Sequence, residues 1–484
     1  MNNYKIVMLL ALVLFLESCD SLLKVDPRQS IETSVALNSP ELVRASITNV
    51  YTYLKSQSLY GRDLLAISEC LADNTRIINR AGGRFVNEGN NVPNNHVGGW
   101  GTYYGAINEI NLILRALPTR DFFSQTQKDE IEGEVKFLRA LFYFDLMRVF
   151  AFDPNSIIAS LDKGGVPLLL EGVNASSEIV YPARASVKDV YAQIYKDLSD
   201  ALAKAPTVGA PSRATRAAAT ALFARVALYN NDFDNAAKYA TDALATGVGR
   251  FVANNEYVAS WRANSHPESI FEVLFQTRQE SLGVNNALQS AYTSIESVAQ
   301  ATALAASRPT PLPVAAGWGA VVPTTAFLAL HTTGDVRRLM YQDGLSRSNT
   351  VVTECTKFLG KSGVIYMDNV PAIRISELFL IRAEALARAN KDLPTALADV
   401  NRIRTRAGLT ALTTQTQAQL ITEIALQRRL ELAFEGHRWF DLKRQGQDIV
   451  KSTGNLPYGD FRILAPIPLS EVQVNNKMLQ NAGY

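Results

Sequence analysis

Residues 419–446 read QLITEIALQRRLELAFEGHRWFDLKRQG, and this stretch decides how the rest of the chain is read. At 100° per residue Leu426, Leu430, Ala433 and Phe434 share one helical face, while Arg428, Glu431 and Glu435 lie on the opposite one at i,i+3 and i,i+4 spacing. The pattern predicts an amphipathic helix ended by Gly436 in the left-handed conformation, then a short helix from His437 to Arg444. Arg438 and Asp441, three apart, are expected to pair and pin the bend, with Trp439 and Phe440 filling the core beneath it. Glu431, Glu435, His437, Arg438 and Asp441 could also suggest acid–base or metal chemistry. A metal on a helix needs its ligands on one face, however, and His437 has no His or Cys partner at helical spacing, so no metal is expected here.

Upstream the pattern stays helical from Pro40 onward, with Ser39 as N-cap of a helix to Leu54 and a second element over 66–74. A helix pair follows at 103–117 and 126–150, then segments at 186–205 and 214–245. ALYNNDFDNAAKYATDAL (227–244) resembles the inter-helix turn and small packing residues of a tetratricopeptide repeat. Its pattern returns 160 residues later, where Ala227, Asn230, Asp232, Phe233 and Ala236 correspond to Ala387, Asn390, Asp392, Leu393 and Ala396. Between the two copies SIFEVLFQ (269–276) is the best strand candidate. Residues 281–323 then lose amphipathicity and end in SRPTPLPVAAGWGAVVP, a long Pro/Gly-rich loop of the kind that tends to carry function.

The segment 423–446 closely resembles the signature of the SusD/RagB family, outer-membrane lipoproteins of the Bacteroidetes that capture nutrients, usually glycans. Further resemblances lie in GEVKFLRALFYF (133–144) with GVP (165–167), in Asp335, Arg337 and Arg338, in residues 373–407, and in the terminal PIP, Glu471 and QNAGY. Together they run the length of the chain. Gln427 stands where the family more often has an acid, a change expected to weaken one helix-surface ion pair. Asn476 and Ala482 replace prolines common there, which should loosen the tail without altering its course. The resemblance implies a mainly α fold in which tetratricopeptide-like helix pairs form a right-handed superhelical scaffold, with long irregular loops and little β. Arg139, in the N-terminal signature, is expected to be a buried hydrogen-bonding strut.

At the N-terminus Lys5 precedes eleven apolar residues, Ile6 to Leu16, too few to span a bilayer but suited to a signal peptide. Leu16, Ser18 and Cys19 read as a lipobox, with Glu17 an unusual occupant at −2, so residues 1–18 would be removed and Cys19 acylated. Two or more acyl chains anchor stably. The expected organisation is a tether over 19–38 and a single domain over 39–484. Its parts are an N-terminal part to about 250, a variable ligand-loop region to about 323, and a C-terminal part beyond. Cleavage takes Lys5 and Glu17 from 48 basic and 46 acidic residues and leaves 47 against 45. That balance lacks the basic footprint of a nucleic-acid binder, and none is expected. Cys70 and Cys355 could pair or stay free, and two buried free thiols are favoured.

For function, residues 82–101 (GGRFVNEGNNVPNNHVGGWG) form a Gly/Asn-rich loop carrying Trp100, an indole with no apolar helical face to enter. Aromatic faces contact the C–H faces of sugars while Asp, Asn and Arg satisfy hydroxyls. In starch-binding members of the family the glycan site draws on an Asp, an Arg, a Trp and an Asn from this part of the chain. Asp73, Asn74, Arg80, Arg84, Trp100 and Tyr103 are the nearest equivalents, and Tyr292 and Trp318 in the second loop join them. The resemblance implies a non-catalytic, cell-surface glycan-binding lipoprotein of the outer membrane. It would hand its ligand to a SusC-type TonB-dependent transporter. A peptide cargo, or a helical-repeat scaffold with no small ligand, is the alternative. An enzyme is not expected: the aromatic loops hold only the isolated Glu88 and Glu296, the four histidines are scattered, and no GxSxG, zinc spacing or phosphate loop occurs. No cofactor is implied.

Overall fold

The computed structural model describes residues 37–79, 82–309, 317–345 and 351–484; Cys19, the leader and Arg80 lie outside them. The N-terminal half is built from α1 (Pro40–Leu54), α2 (Asp63–Leu71), α3 (Trp100–Ala116), α4 (Gln125–Phe150), α5 (Val187–Lys204), α6 (Arg216–Tyr229) and α7 (Phe233–Ala245). The C-terminal part adds α8 (Ile375–Arg388), α9 (Leu393–Ala407), α10 (Gln417–Glu431) and α11 (Arg438–Arg444). Among the described residues, strand structure is limited to antiparallel ribbons that pair β1 (Thr75–Ile77) with β3 (Val321–Pro323), β2 (Ser269–Val273) with β6 (Val370–Arg374), and β4 (Tyr341–Asp343) with β5 (Thr353–Cys355). Among the described residues no helix is long and apolar enough to cross a membrane.

Local chemistry starts several of these helices where the sequence says it should. Ser39 accepts from Leu42 N with Pro40 as first residue, and Ser124 with Gln127 and Thr416 with Gln419 close reciprocal capping boxes. Asp232 and Asp392 each accept from the amide three residues on, so the two pairs α6–α7 and α8–α9 turn on the same device at the same offset. Ala227, Ala236, Ala387 and Ala396 are fully buried, which lets the paired helices approach closely. The strand expected in SIFEVLFQ is β2, buried on both faces because it lies between β6 and the helices.

The bend in the 419–446 stretch departs from its sequence reading in three ways. First, α10 stops at Glu431, not Gly436, and Phe434 takes the left-handed conformation at φ 65° before Gly436 at φ 77°. Distant side chains end it: Lys357 Nζ donates to the carbonyls of Glu431 (3.1 Å) and Ala433 (2.8 Å), and Arg374 Nη2 donates to Glu431 O (2.9 Å). Those carbonyls no longer need another helical turn. Second, Arg438 and Asp441 do not pair. Arg438 clamps Asp73 through two bonds of 2.7 and 2.8 Å, and Asp441 accepts from Arg428 and Arg444.

Third, the charged face of α10 is buried. Arg374 lies at the centre of a network, donating to Glu435 (2.8 Å), Glu431 (2.8 Å) and Glu268 (3.0 Å). Arg337, held by Asp335 at 2.7 Å, reaches Gln427 Oε1 at 2.9 Å, so Gln427 is an interior acceptor and not a weakened surface partner. Arg428, Glu431, Gln427 and Arg337 are all at most 2% exposed. Arg139 is the buried strut expected of it, bidentate to Asp197 and bonded to Asn111. Cys70 and Cys355 are free, buried thiols.

Candidate ligand cleft

Where α2 ends, the turn at Asp73 and Asn74 feeds β1, and β1 lies along β3 with Arg76 opposite Val322. The ribbon, the single helical turn Val86–Gly89, the helix start at Thr324–Ala326 and the turn Val450–Thr453 enclose a cleft of about 430 Å³. That is room for a short oligosaccharide segment. Asn79 lies at its edge and receives the Gly83 amide at 3.0 Å, which closes the turn carrying Arg84. Arg84 lies over the half-buried Trp318 ring at 4.4 Å and donates to Asn285 O (3.1 Å) and Oδ1 (3.2 Å). Trp318 Nε1 donates to Val284 O at 2.6 Å, so the indole is held in place.

The charges of the cleft are fixed by burial and partners. Burial pushes the Asp73 carboxyl up, but Arg438, joined by Arg429 at 3.3 Å, outweighs it and holds the group below the ordinary carboxylate value. Lys451 Nζ donates to Cys70 O, Gly89 O (2.7 Å) and Asn91 Oδ1 (2.8 Å), three neutral acceptors. Burial therefore brings its amine down to about 8. Arg76 is exposed and, among the described residues, has no ion-pair partner.

The residues singled out from sequence are dispersed. Asp73 lines the cleft; Arg84 and Trp318 stack on each other but are not among its lining residues. Asn74 is fully buried, its Oδ1 taken by Arg429 at 2.7 Å. Tyr103 and Tyr292 are core residues with no exposed face, packed edge-on against Phe142 and Phe434. Trp100 is not a loop platform: it is the first residue of α3, 5% exposed, with its ring 5.0 Å from both Tyr104 and Phe150. Its rim lines a separate apolar hollow with Tyr104 and Tyr181, so the two tryptophans do not share a site. Arg76 and Lys451 were missed, since neither lies in an aromatic loop or a recognisable motif. Among the described residues no cluster of His, Cys, Asp and Glu could hold a metal.

Sequence comparison adds two family matches. The model of the SusD family matches residues 350–484, and a second, described as starch-binding associating with outer membrane, matches residues 22–228. The chain belongs to the SusD family. SusD-like protein P2 of Formosa agariphila is 26% identical, with all of both chains covered. The crystal structure of a SusD superfamily protein from Bacteroides thetaiotaomicron covers 91% of this chain and 99% of its own at TM-score 0.78 and 24% identity. A laminarin-binding SusD-like protein covers 92% of this chain and all of its own at TM-score 0.70 and 23% identity. This SusD-family chain therefore carries the fold of those structures, with a cleft lined by its own residues.

Proposed function

We propose that this protein binds oligo- or polysaccharide at the cell surface and passes it, without a chemical step, to a SusC-type TonB-dependent transporter of the outer membrane. The observation that carries the reading is the polar cleft itself, lined by Asn, Thr and Ser side chains, with Trp318, an indole fixed by its own hydrogen bond and backed by Arg84, three residues ahead of the strand that pairs with the cleft's β1 wall. A rigid aromatic next to Asn, Thr and Ser side chains suits the alternating apolar and hydroxyl faces of a sugar. Starch and laminarin, named for the matching family and for one relative, are both glucans, which favours glycan over peptide cargo. The transporter, the lipid anchor on Cys19 and the outward orientation rest on family membership.

The test is isothermal titration of the soluble mature protein, without Cys19, against a panel of polysaccharides and oligopeptides, repeated with Trp318→Ala and Trp100→Ala. Binding of a glycan that Trp318→Ala abolishes and Trp100→Ala preserves supports the cleft. Binding of oligopeptides alone, or loss with Trp100→Ala only, sinks it. Co-purification of the lipidated protein with a TonB-dependent transporter from outer membranes tests the partnership separately.

A further inference from the structure

The cleft is electrically one-sided. Its lining holds a single carboxylate, Asp73, and that group is already consumed by Arg438 at 2.7 Å and Arg429 at 3.3 Å. Two further cations line it, Arg76 and Lys451; neither forms an ion pair among the described residues, and Lys451 feels Asp73 only at a distance. A fifth, Arg84, on the turn that Asn79 closes at the cleft's edge, has the neutral Asn285 and the Trp318 face as partners. Glu88, on the turn that forms one wall, interacts with Asp63 and Arg62 and is not among the lining residues. Four lining or clamping cations thus face one carboxylate, in a protein whose formal net charge is only +2. A concave, low-dielectric wall with one sign of charge concentrates its field on whatever enters.

We propose that the cleft selects anionic glycans, chains whose sugars carry carboxylate or sulfate groups, over neutral ones. The inference rests on reading the cleft as the glycan site. Arg76 is the residue placed to meet the anion: it stands on a short, paired strand, its guanidinium has five donors, and no ion pair occupies it. Lys451 cannot donate further, since its three protons are taken, so it acts through its charge from the floor of the cleft. Trp318 beside Arg84 supplies the apolar face that the ring of an acidic sugar still presents.

The test titrates the mature protein with polygalacturonate and alginate as the carboxylate arm, a carrageenan as the sulfate arm, and laminarin and starch as the neutral arm. Each is measured at about 50 and about 500 mM salt, since screening weakens ionic contacts selectively. The expected result is binding of one acidic polymer at least tenfold tighter than either neutral glucan. That binding falls with salt and drops at least tenfold in Arg76→Gln, whose exposed position leaves the fold intact by circular dichroism. Preference for a carboxylate or a sulfate polymer identifies which anion is read. Equal or tighter binding of laminarin or starch, or acidic binding that neither salt nor Arg76→Gln alters, overturns the proposal and leaves glycan capture standing. Failure to bind any glycan removes the parent reading, and this one with it.

Discussion

Lys451 shows how much one side chain can be asked to hold. Its ammonium ties the end of α2, the Val86–Gly89 turn and Asn91 together through neutral acceptors, with Asp73 as a more distant counter-charge. Lys451→Met should leave those acceptors unpaired and cost about 2–4 kcal/mol, read as a lower denaturant midpoint with unchanged slope. The lysine also has a pH signature. Its folded value of about 8 lies below the 10.5 of a free lysine, so the folded protein releases this proton first and stability rises between those values. Lys451→Met should lack that rise in melting temperature above pH 8. Of the residues singled out from sequence, Asp73 lines the cleft and Trp318 is half-buried outside helix, as a tryptophan in a Pro/Gly-rich run with no helix to join should be. Trp100 misled for the same reason. Its Gly-rich approach resembles a loop, but after Gly99 at φ 92° the chain enters α3 and the ring packs on Tyr104 one turn later. Arg76 and Lys451 were illegible, since only the fold brings them to one wall.

At the scale of elements, the close crossing of α4 on the end of α5 depends on one missing atom. A Cβ on Gly133 would stand 2.3 Å from Ala205 N and 2.7 Å from its Cα, backbone that cannot swing aside. Gly133→Ala should therefore force the helices apart and destabilise by about 2 kcal/mol or more, seen as a lower melting temperature, whereas the same change in an exposed helix would stabilise by up to about 1 kcal/mol. The repeat caps offer a milder check: Asp392→Ala should cost about 1 kcal/mol by removing the bond to Thr395 N. The start of α1 was readable because Ser39 and the amide it caps are neighbours in sequence, whereas α2 and α3 begin three residues earlier than expected, at Asp63 and Trp100, where no side chain caps the helix. The end of α10 was not readable either, because Lys357 and Arg374, which satisfy its carbonyls, come from segments the helix meets only after folding.

For the whole molecule, the surprise is where the charges went. Glu and Arg at helical spacing read as a solvated face, but Arg374, Glu431, Arg337 and Arg428 form an interior that periodicity alone cannot reveal. Removing one member strands the others: Arg374→Met should cost about 3–5 kcal/mol or abolish soluble expression, although replacing a whole buried set by apolar residues can be neutral. Buried carboxyls also set the pH profile. Burial raises Glu69 to about 7 and Asp368 to about 6, above their free values, so the stability they favour is present at low pH and is lost as pH rises toward 7. Glu384 runs the other way: Arg444 and Arg388 overcome its burial and hold it at about 2, so its contribution is full above 4.5 and is lost as pH falls toward 2. Together these three carboxyls favour the fold most at about pH 4 to 4.5, and their contribution falls from there toward pH 7, whereas His96, His266, His331 and His437, which burial holds below their free value, add stability as pH rises to 6.5. Glu69→Gln should remove a fall in melting temperature between about pH 4.5 and 7, and Glu384→Gln should flatten the acid limb; a variant whose profile matches the parent's counts against that residue's assignment.

The clamp between Arg438 and Asp73 joins residues 365 positions apart, and Gly436 N meets Glu69 across a similar span. A ribosome delivers α2 early and its partners almost last. During most of synthesis the nascent chain lacks the pieces that would close its core, so the fold can be completed only once nearly the whole chain has been made.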